Sequence, residues 1–335
     1  MFYFRIDLGS QYGMGHYSRV LSFIDYLNIK KYKIVIDNLK NNNFSQKEKK
    51  HFICLYDKKK YKNETDDAKN FLSIIKEKKN TLTIVKDSYR LGFKWEKYVR
   101  KNCNKLVIID DFPDKKHFAD YYINHNPHFD NPKIDLINIL KKNNKKKCQF
   151  FLGTKYALFN LKSGKKSIRS DIVFYNGGSG NILVYEKIIN GIVKIKKNLR
   201  IILIVGPYAK NHRKVFKRFN FIKNIKIISK PTNILNYLRG TKLFVSSAGV
   251  SAFESSALKL PTLLFQMNFN QNLQDFDYEK LGHYFMLKKN DLIQTGKIIN
   301  LVLLMMKETS IIKNMMVNNS IKKKNVKKNF RKYFK

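Results

Sequence analysis

Short apolar runs alternate with amphipathic stretches along most of this chain of 335 residues, and this alternation constrains the fold more than any other feature. The runs are rich in Ile, Val, Tyr and Phe and are bounded by Asp, Asn or Gly, which is typical of buried strands. The predicted strands are Tyr3–Leu8, Tyr32–Ile36, His51–Tyr56, Thr81–Val85, Lys105–Ile109, Asp171–Tyr175, Arg200–Val205, Ile225–Ser229, Leu243–Ser246 and Thr262–Phe265. Strands that alternate with helices indicate parallel sheets with helices on both faces.

Helical spacing fills the intervals between these strands. A helix is predicted from about His16, because Val20, Ile24 and Leu27 repeat at i, i+4 and i+7. The other predicted helical stretches are Leu183–Lys197, Ser251–Leu258 and Ile293–Val317.

The length of the chain is sufficient for two domains, each with its own core. The polar, aperiodic segment 161–170 is predicted to be a linker. It separates a Rossmann-like domain over 1–160 from a second one over 171–318, and a basic tail over 319–335 follows. Because ligands of such sheets bind at the carboxyl ends of the strands, two domains in series predict a ligand cleft between them.

Composition narrows the classes of partner. The 67 Lys and Arg residues outnumber the 25 Asp and Glu residues, which gives a net charge of +42 and makes an anionic partner plausible. The basic residues are spread along the chain, however, and no zinc-finger, RNP-like or basic-zipper spacing occurs. A solvated basic surface is the simplest interpretation, a phosphate-bearing substrate is the second, and nucleic acid is not expected.

Composition also bears on the compartment. The longest unbroken apolar run, Leu301 to Met306, is far shorter than the ~20 residues that span a bilayer, so no transmembrane segment is expected. Cys54, Cys103 and Cys148 form no C-x-x-C pair, which is typical of a reduced compartment. These features predict a cytoplasmic protein.

The first candidate site joins the first strand to the first helix over residues 9–19. Its glycines, Gly13 and Gly15 among them, allow a tight turn at the positive end of a helix. His16 would lie in the first helical turn, where a neutral imidazole could accept a proton, and Arg19 would share its face and could pair with phosphate. The alternative is a plain glycine turn capped by a histidine.

Two more small-residue turns follow strands in the second half of the chain. Residues 175–181 include Gly178 and Ser179, whose backbone could approach a diphosphate at a helix start, although a plain turn would look the same. Residues 246–261 place Glu254 one turn into a helix, where it could bind ribose hydroxyls or could only complement the helix dipole. The amides of Asn270 and Gln271 suit sugar hydroxyls or phosphate oxygens, or an ordinary helix cap.

Polar residues also follow two strands of the first half. Asp87 and Tyr89 come after one strand, and Asp110 and Asp111 come after the next. Carboxylates at strand ends are candidates for binding or catalysis and are as often turn-formers. Neither a metal nor a cofactor is expected, because His117, His125 and His128 have no metal-ligand spacing and no H-E-x-x-H or C-x-x-C motif occurs.

In this order, the motifs resemble the UDP-sugar hydrolases of pseudaminic acid biosynthesis. The resemblance runs from Arg5 to about Leu281 and rests on the motifs G-x-G-H-x-x-R at 13–19, D-x-Y at 87–89, I-I-D-D at 108–111, L-G-x-x-Y-A-L at 152–158, G-G-S at 177–179, A-G to Glu254, and N-Q at 270–271. That family removes UDP from UDP-2,4-diacetamido-2,4,6-trideoxy-β-L-altropyranose. Its fold is similar to that of the GT-B glycosyltransferases, which implies an α/β chain with two Rossmann-like domains facing a cleft.

The resemblance also implies roles for individual residues. His16 would be the catalytic base that activates water, with Tyr89 and Asn270 as further catalytic residues. The substrate-binding residues that it implies are Gly13, Gly15, Arg19, Asp87, Gly178, Ser179, Thr232, Gly249, Ser251, Glu254 and Gln271. The family often has Asp after Gly-Gly-Ser, where this chain has Gly180. An inverting UDP-sugar glycosyltransferase of the same fold is the alternative function, and a basic nucleic-acid-binding protein is the alternative of another class.

Overall fold

The computed structural model describes residues 1–39, 44–56, 61–130, 134–144, 147–162, 168–231, 233–267, 277–317 and 320–334. The chain divides into two compact units. The first contains Met1–Leu8, His16–Leu158 and the end of the chain from Lys324. The second contains Phe159–Lys323 and also the short segment Gly9–Gly15.

The first unit is a seven-stranded parallel sheet in the order β3-β2-β1-β4-β5-β6-β7. Its strands are β1 Phe2–Ile6, β2 Tyr32–Ile36, β3 Phe52–Cys54, β4 Thr83–Asp87, β5 Lys105–Ile109, β6 Tyr121–Asn124 and β7 Gln149–Leu152. The described helices of the unit include α1 Gly15–Leu27, α2 Gln46–Lys49, α3 Glu64–Ser73, α4 Phe93–Arg100 and α5 Ile134–Asn143.

The second unit is a six-stranded parallel sheet in the order β10-β9-β8-β11-β12-β13. Its strands are β8 Ile172–Tyr175, β9 Ile201–Val205, β10 Ile225–Ser229, β11 Leu243–Ser247, β12 Thr262–Gln266 and β13 Phe285–Lys288. Its described helices include α6 Glu186–Ile195, α7 His212–Phe219, α8 Leu235–Leu238, α9 Val250–Ala257, α10 Thr295–Lys307 and α11 Thr309–Met316.

Both sheets have the strand order of a doubly wound Rossmann fold. The order reverses between β1 and β4 in the first sheet and between β8 and β11 in the second. The loops that leave the carboxyl ends of those strands diverge to opposite faces, which opens a crevice where ligands of such sheets bind. The fold therefore gives each unit one preferred ligand position.

The strands form where they do because both faces of each sheet are covered. All four residues of β8 and all five of β9 are buried, and so the sequence reads as continuous Ile, Val, Leu and Phe rather than as an alternating pattern. In the first unit, Trp95 of α4 packs with Phe71 of α3 on one face of the sheet.

All the strands predicted from the sequence are confirmed, with ends that differ by at most two residues. Three strands were not predicted from the sequence: β6, β7 and β13. Each is only four residues long and lies at or near one edge of its sheet, where a short run flanked by polar residues carries little periodic signal. The helix predicted over Ile293–Val317 is two helices, α10 and α11.

The segments predicted as linker and tail are described in part. Residues 163–167 of the predicted linker 161–170 lie outside the described residues. Within the predicted basic tail 319–335, Lys323–Tyr333 forms a helix, α12. Its Val326 and Phe330 are buried in the first unit, where the Phe330 ring contacts Phe23 and Tyr26 of α1. Within the described ranges, no helix combines the length and apolarity that crossing a bilayer requires.

The apolar face of α12 provides a test of this packing. Phe330→Ala removes a fully buried ring and is expected to lower the free energy of unfolding by about 3–5 kcal/mol. Lys328→Ala, on the exposed face of the same helix, is the matched control and should change it by less than about 0.5 kcal/mol. Urea unfolding followed by circular dichroism measures both. Equal effects of the two substitutions would contradict the packing.

Candidate functional site

A glycine-rich loop connects β1 to α1 at the switch point of the first sheet. Gly9 and Gly13 have φ values of +133° and +73°, which side-chain-bearing residues rarely adopt. The Gly13 N–H donates to the Gly9 carbonyl over 2.7 Å and closes the turn. Helix α1 then begins at Gly15, and His16 lies in its first turn, where the sequence predicted it.

His16 forms a short contact with the carboxylate at the end of β4. The distance from His16 Nδ1 to Asp87 Oδ1 is 2.6 Å, and both side chains are buried. Burial alone would raise the pKa of Asp87, but the Arg19 guanidinium and His16 hold that pKa below its usual range. Nδ1 has two close neighbours: Asp87 Oδ1 at 2.6 Å, and Arg19 Nη2 at 2.9 Å, which itself donates to Asp87 Oδ1 over 2.6 Å. An ionised Asp87 only accepts hydrogen bonds, so the shorter contact is a hydrogen bond when Nδ1 carries the proton. The acceptor lone pair of the neutral ring is then on Nε2.

The Arg19 guanidinium lies between two carboxylates. It donates from Nε and Nη2 to Asp87 over 2.9 and 2.6 Å, and from Nη1 to both oxygens of Asp111 over 2.9 Å. Burial would raise the pKa of Asp111, but Arg19 beside it holds that pKa far below the usual range. Arg19 therefore keeps both carboxylates charged and fixes their positions. Its predicted role as a phosphate ligand stays a prediction.

Tyr89 contributes a phenol to the same cluster. Its hydroxyl donates to Asp111 Oδ2, and its ring lies edge-on to His16 with 4.7 Å between ring centroids. Burial and the Asp111 charge raise the pKa of Tyr89 well above its usual value, so the phenol keeps its proton. Asp87, Arg19, Tyr89 and His16 were all candidates from the sequence, and the structure brings them together.

Two members of this cluster were not selected as site residues from the sequence. In the sequence, Asp111 is a strand-end carboxylate and a member of the I-I-D-D motif, but no role was assigned to it. Asp7, directly after β1, accepts hydrogen bonds from the Ser88 hydroxyl over 2.8 Å and from the Tyr89 N–H over 3.0 Å. It thereby fixes the loop that carries Tyr89. The position of Asp7 at the carboxyl end of the first strand was the available signal.

The corresponding crevice of the second sheet contains the Gly-Gly-Ser turn. Gly177, at φ +73°, follows β8, and a Cβ there would lie 3.7 Å from Ser247 Oγ at the end of β11. The segment Gly9–Gly15, which clusters with this unit, packs against the turn: a Cβ on Gly178 would lie 2.7 Å from the Met14 backbone nitrogen. Glycine at position 178 is therefore required for this close approach of two backbones.

Gly180 stands where the hydrolases that the motifs resemble often have Asp. A Cβ at this position would lie 1.7 Å from the carbonyl oxygen of Asn176, so no side chain fits the turn as this chain forms it. The absence of Asp at this position therefore agrees with the backbone of the turn, which leaves no room for a side chain.

Three further residues predicted to bind the substrate lie at the start of α9. Gly249 precedes the helix and has open space where a Cβ would point. Ser251 Oγ lies 3.3 Å from Ser246 Oγ. Glu254 is only 6% exposed, and burial raises its pKa to about 8, although the Asn160 backbone and Lys323 act in the opposite direction.

The remaining predicted site residues lie outside the described residues. They are Thr232, Asn270 and Gln271. Among the residues that are described, no group of three or more His, Cys, Asp or Glu side chains has the arrangement of a metal site.

The comparisons with known proteins identify the fold. No family model matches the chain. In sequence, it is 24% identical over 296 residues to an uncharacterized protein of Methanocaldococcus jannaschii, and the match covers 82% of this chain but only 57% of that relative. The chain thus spans little more than half the length of this curated relative.

Solved structures resemble the chain over nearly its whole length. They include MurG of Acinetobacter baumannii, with a TM-score of 0.58 at 10% identity and 99% coverage of both chains. UDP-GlcNAc 2-epimerase of Neisseria meningitidis has a TM-score of 0.57 at 10% identity, with 100% of this chain and 99% of that chain covered. The chain has a GT-B-like fold. The fold implied by the sequence resemblance is thereby confirmed.

The Gly180 turn predicts a strong response to a minimal substitution. Gly180→Ala adds one methyl group against the Asn176 carbonyl and is expected to lower the free energy of unfolding by about 1–3 kcal/mol. Gly296→Ala, where a Cβ meets nothing within 4 Å, is the control and should not destabilise the chain. Thermal unfolding compares the two; a harmless Gly180→Ala would refute the steric argument.

The buried Glu254 carboxyl predicts a pH-dependent stability. Its pKa is raised to about 8 from the usual 4.5, so between these pH values the folded chain binds more protons than the unfolded one. The contribution of Glu254 to stability is therefore complete at acidic pH and is lost as the pH rises towards 8. Glu254→Gln should remove this dependence, on the order of a few kcal/mol, in urea unfolding measured from pH 5 to 9. Parallel curves for the two proteins would contradict it.

Proposed function

We propose that this chain is an enzyme that releases UDP from a UDP-linked sugar and that His16 is its general base. The observation that carries the proposal is the short Nδ1–Asp87 contact, which gives His16 the tautomer that a base acting through Nε2 needs. Two features of the surroundings support it: the site is at a Rossmann switch point, and the fold is shared with a UDP-GlcNAc 2-epimerase bound to UDP-GlcNAc.

In the proposed reaction, His16 Nε2 takes a proton from a water molecule as the oxygen attacks the anomeric carbon. The bond from that carbon to the diphosphate oxygen breaks, and UDP leaves with the electron pair. Asp87 stabilises the imidazolium that forms, because it remains ionised beside Nδ1. The Tyr89 hydroxyl donates its hydrogen to Asp111, so what it can offer the sugar or the water is an oxygen lone pair that accepts a hydrogen bond.

UDP binding is assigned to the second unit. The Gly178 and Ser179 turn would present backbone N–H groups to the diphosphate, and Gly249 and Ser251 would do so at the start of α9. Glu254 would bind the ribose hydroxyls through a carboxyl group that is protonated below about pH 8 and can therefore both accept and donate. Thr232 and Gln271 complete the binding residues that the resemblance implies, and Asn270 is its further catalytic residue. Gly13 and Gly15 are the implied binding residues of the loop from β1 to α1; a Cβ on Gly13 would lie 3.3 Å from Ser179 Oγ of the Gly-Gly-Ser turn, and Gly15 begins α1.

The specific substrate we propose is the UDP-diacetamido-trideoxy sugar of the hydrolase family, since the ordered motifs resemble that family. The second candidate is an inverting glycosyltransferase, in which a hydroxyl group replaces water. The fold shared with a glycosyltransferase of Rickettsia africae, at a TM-score of 0.52 over 99% of this chain and 97% of that chain, favours it as much as the motifs favour the hydrolase. Both candidates use the same base and the same leaving group.

Product analysis separates these candidates. The protein is incubated with a panel of UDP-diacetamido sugars and UDP-GlcNAc in the absence of an acceptor, and the products are followed by NMR. Release of the free sugar and UDP would support the hydrolase. UDP release that requires an added acceptor would support the transferase. No turnover of any UDP-sugar under either condition would refute the proposal.

The assignment of the base predicts a separation of binding from turnover. His16→Ala should lower kcat by about 10²–10⁴-fold, the usual contribution of a general base, and should leave the Kd for UDP within about threefold. His51→Ala, a histidine stacked on Tyr32, is the control and should retain normal kcat. A His16→Ala protein with normal turnover would show that another group is the base.

The tautomer argument predicts an equally large effect of a nearly isosteric change. In Asp87→Asn, the amide can donate to Nδ1, which moves the ring proton to Nε2 and removes the lone pair from the reacting side. We expect kcat to fall by at least about 100-fold. The double variant with His16→Ala should be no worse than His16→Ala alone, because the two residues act as a unit. Additive losses would contradict the pairing.

A further inference from the structure

A second pocket lies in the second unit, at the amino-terminal edge of its sheet. It has a volume of about 390 Å³ and is lined by Arg169, Ser170, Arg200, Arg239, Gly240, Thr241 and Lys242. These residues directly precede β8, β9 and β11. The turns proposed to bind UDP follow β8 and β11, so the pocket is at the opposite edge of the same sheet.

The rim of this pocket is strongly cationic. Arg169, Arg200, Arg239 and Lys242 are all exposed, and Asp171 is the carboxylate placed among them. Asp171 accepts from Arg200 Nε over 3.2 Å and lies 3.0 Å from Lys242 Nζ. It therefore holds two cationic heads in place but neutralises only part of their charge. Three guanidinium groups also supply far more N–H donors than this carboxylate accepts.

The inner wall of the pocket adds a hydroxyl and a narrow backbone contact. Ser170 is 1% exposed, and its Oγ has no hydrogen-bond partner among the described residues. Its N–H donates to the Gly240 carbonyl over 3.0 Å and joins the two segments of the wall. A Cβ on Gly240 would lie 2.3 Å from the Ile168 carbonyl oxygen, so only glycine fits there. A buried hydroxyl that lacks a partner is costly unless a ligand or water satisfies it.

We propose that this pocket binds a phosphate group, independently of the proposed UDP site. A tetrahedral oxyanion matches the pocket because it accepts hydrogen bonds on several sides at once, from guanidinium groups on the rim and from the Ser170 hydroxyl on the wall. The net charge of +42 would attract anions to any part of the surface, but the fixed cationic heads and the unpartnered hydroxyl make this position specific. The phosphate could belong to a soluble phosphorylated molecule or to a lipid headgroup.

The test compares two probes on the full chain at about 0.15 M salt, where charges beyond ~8 Å are largely screened. Inorganic pyrophosphate binding is measured by calorimetry with UDP present in saturating amount, so that the proposed UDP site is filled. Co-sedimentation is measured with phosphatidylcholine vesicles that contain or lack phosphatidylglycerol. Binding of pyrophosphate identifies a soluble ligand class, and binding only to the anionic vesicles identifies a lipid headgroup.

Matched variants separate the pocket from general surface charge. Arg200→Gln with Arg239→Gln should weaken the binding by at least about tenfold, and Ser170→Ala should weaken it several-fold with an unchanged Tm. Lys214→Gln with Lys217→Gln, which removes two exposed charges from α7, is the control and should change it less than about twofold. Equal losses in both double variants, or no binding of either probe, would overturn the proposal. UDP affinity should be unaffected by the pocket variants, so its value tests the proposed function separately.

Discussion

The arrangement of the first candidate site depends on one guanidinium. Arg19 donates hydrogen bonds to both Asp87 and Asp111, which lie at the carboxyl ends of the neighbouring strands β4 and β5 and are 24 positions apart in the chain. It keeps both carboxylates ionised although they are buried. A buried carboxylate without such a partner would take up a proton. Asp87 would then cease to require the proton on Nδ1 of His16. The proposed base therefore depends on an arginine that need not touch the substrate.

The parallel topology explains why these groups meet. Residues at the carboxyl ends of β1, β4 and β5 lie along one edge of the first sheet, so Asp7, Asp87 and Asp111 converge there with α1. In the second sheet, the same order places the Gly-Gly-Ser turn beside the end of β11. Close backbone approach at Gly178 and Gly180 then defines the shape of that turn.

Much of this arrangement follows from local sequence, and the rest depends on distant pairing. The strands of the sheet interiors, the glycine turns and the position of His16 were predictable because apolar runs and glycines report local geometry. The choice of Asp111 over Asp110 was not, since the two point to different clusters: Asp111 contacts Arg19, whereas Asp110 caps the Phe112 N–H. Which of the two carboxylates contacts Arg19 depends on the backbone conformation directly after β5, and the sequence pattern does not report that conformation. The burial of Glu254 likewise depends on segments far along the chain.

The most direct measurement of the central claim is the protonation site of the His16 ring. Nitrogen-15 NMR of the labelled protein at neutral pH distinguishes the two neutral tautomers by the chemical shifts of the ring nitrogens. The account predicts a proton on Nδ1, shared with Asp87, and an unprotonated Nε2. A proton on Nε2 with Nδ1 unprotonated would contradict the account, because the nitrogen assigned as the base would then have no lone pair to use.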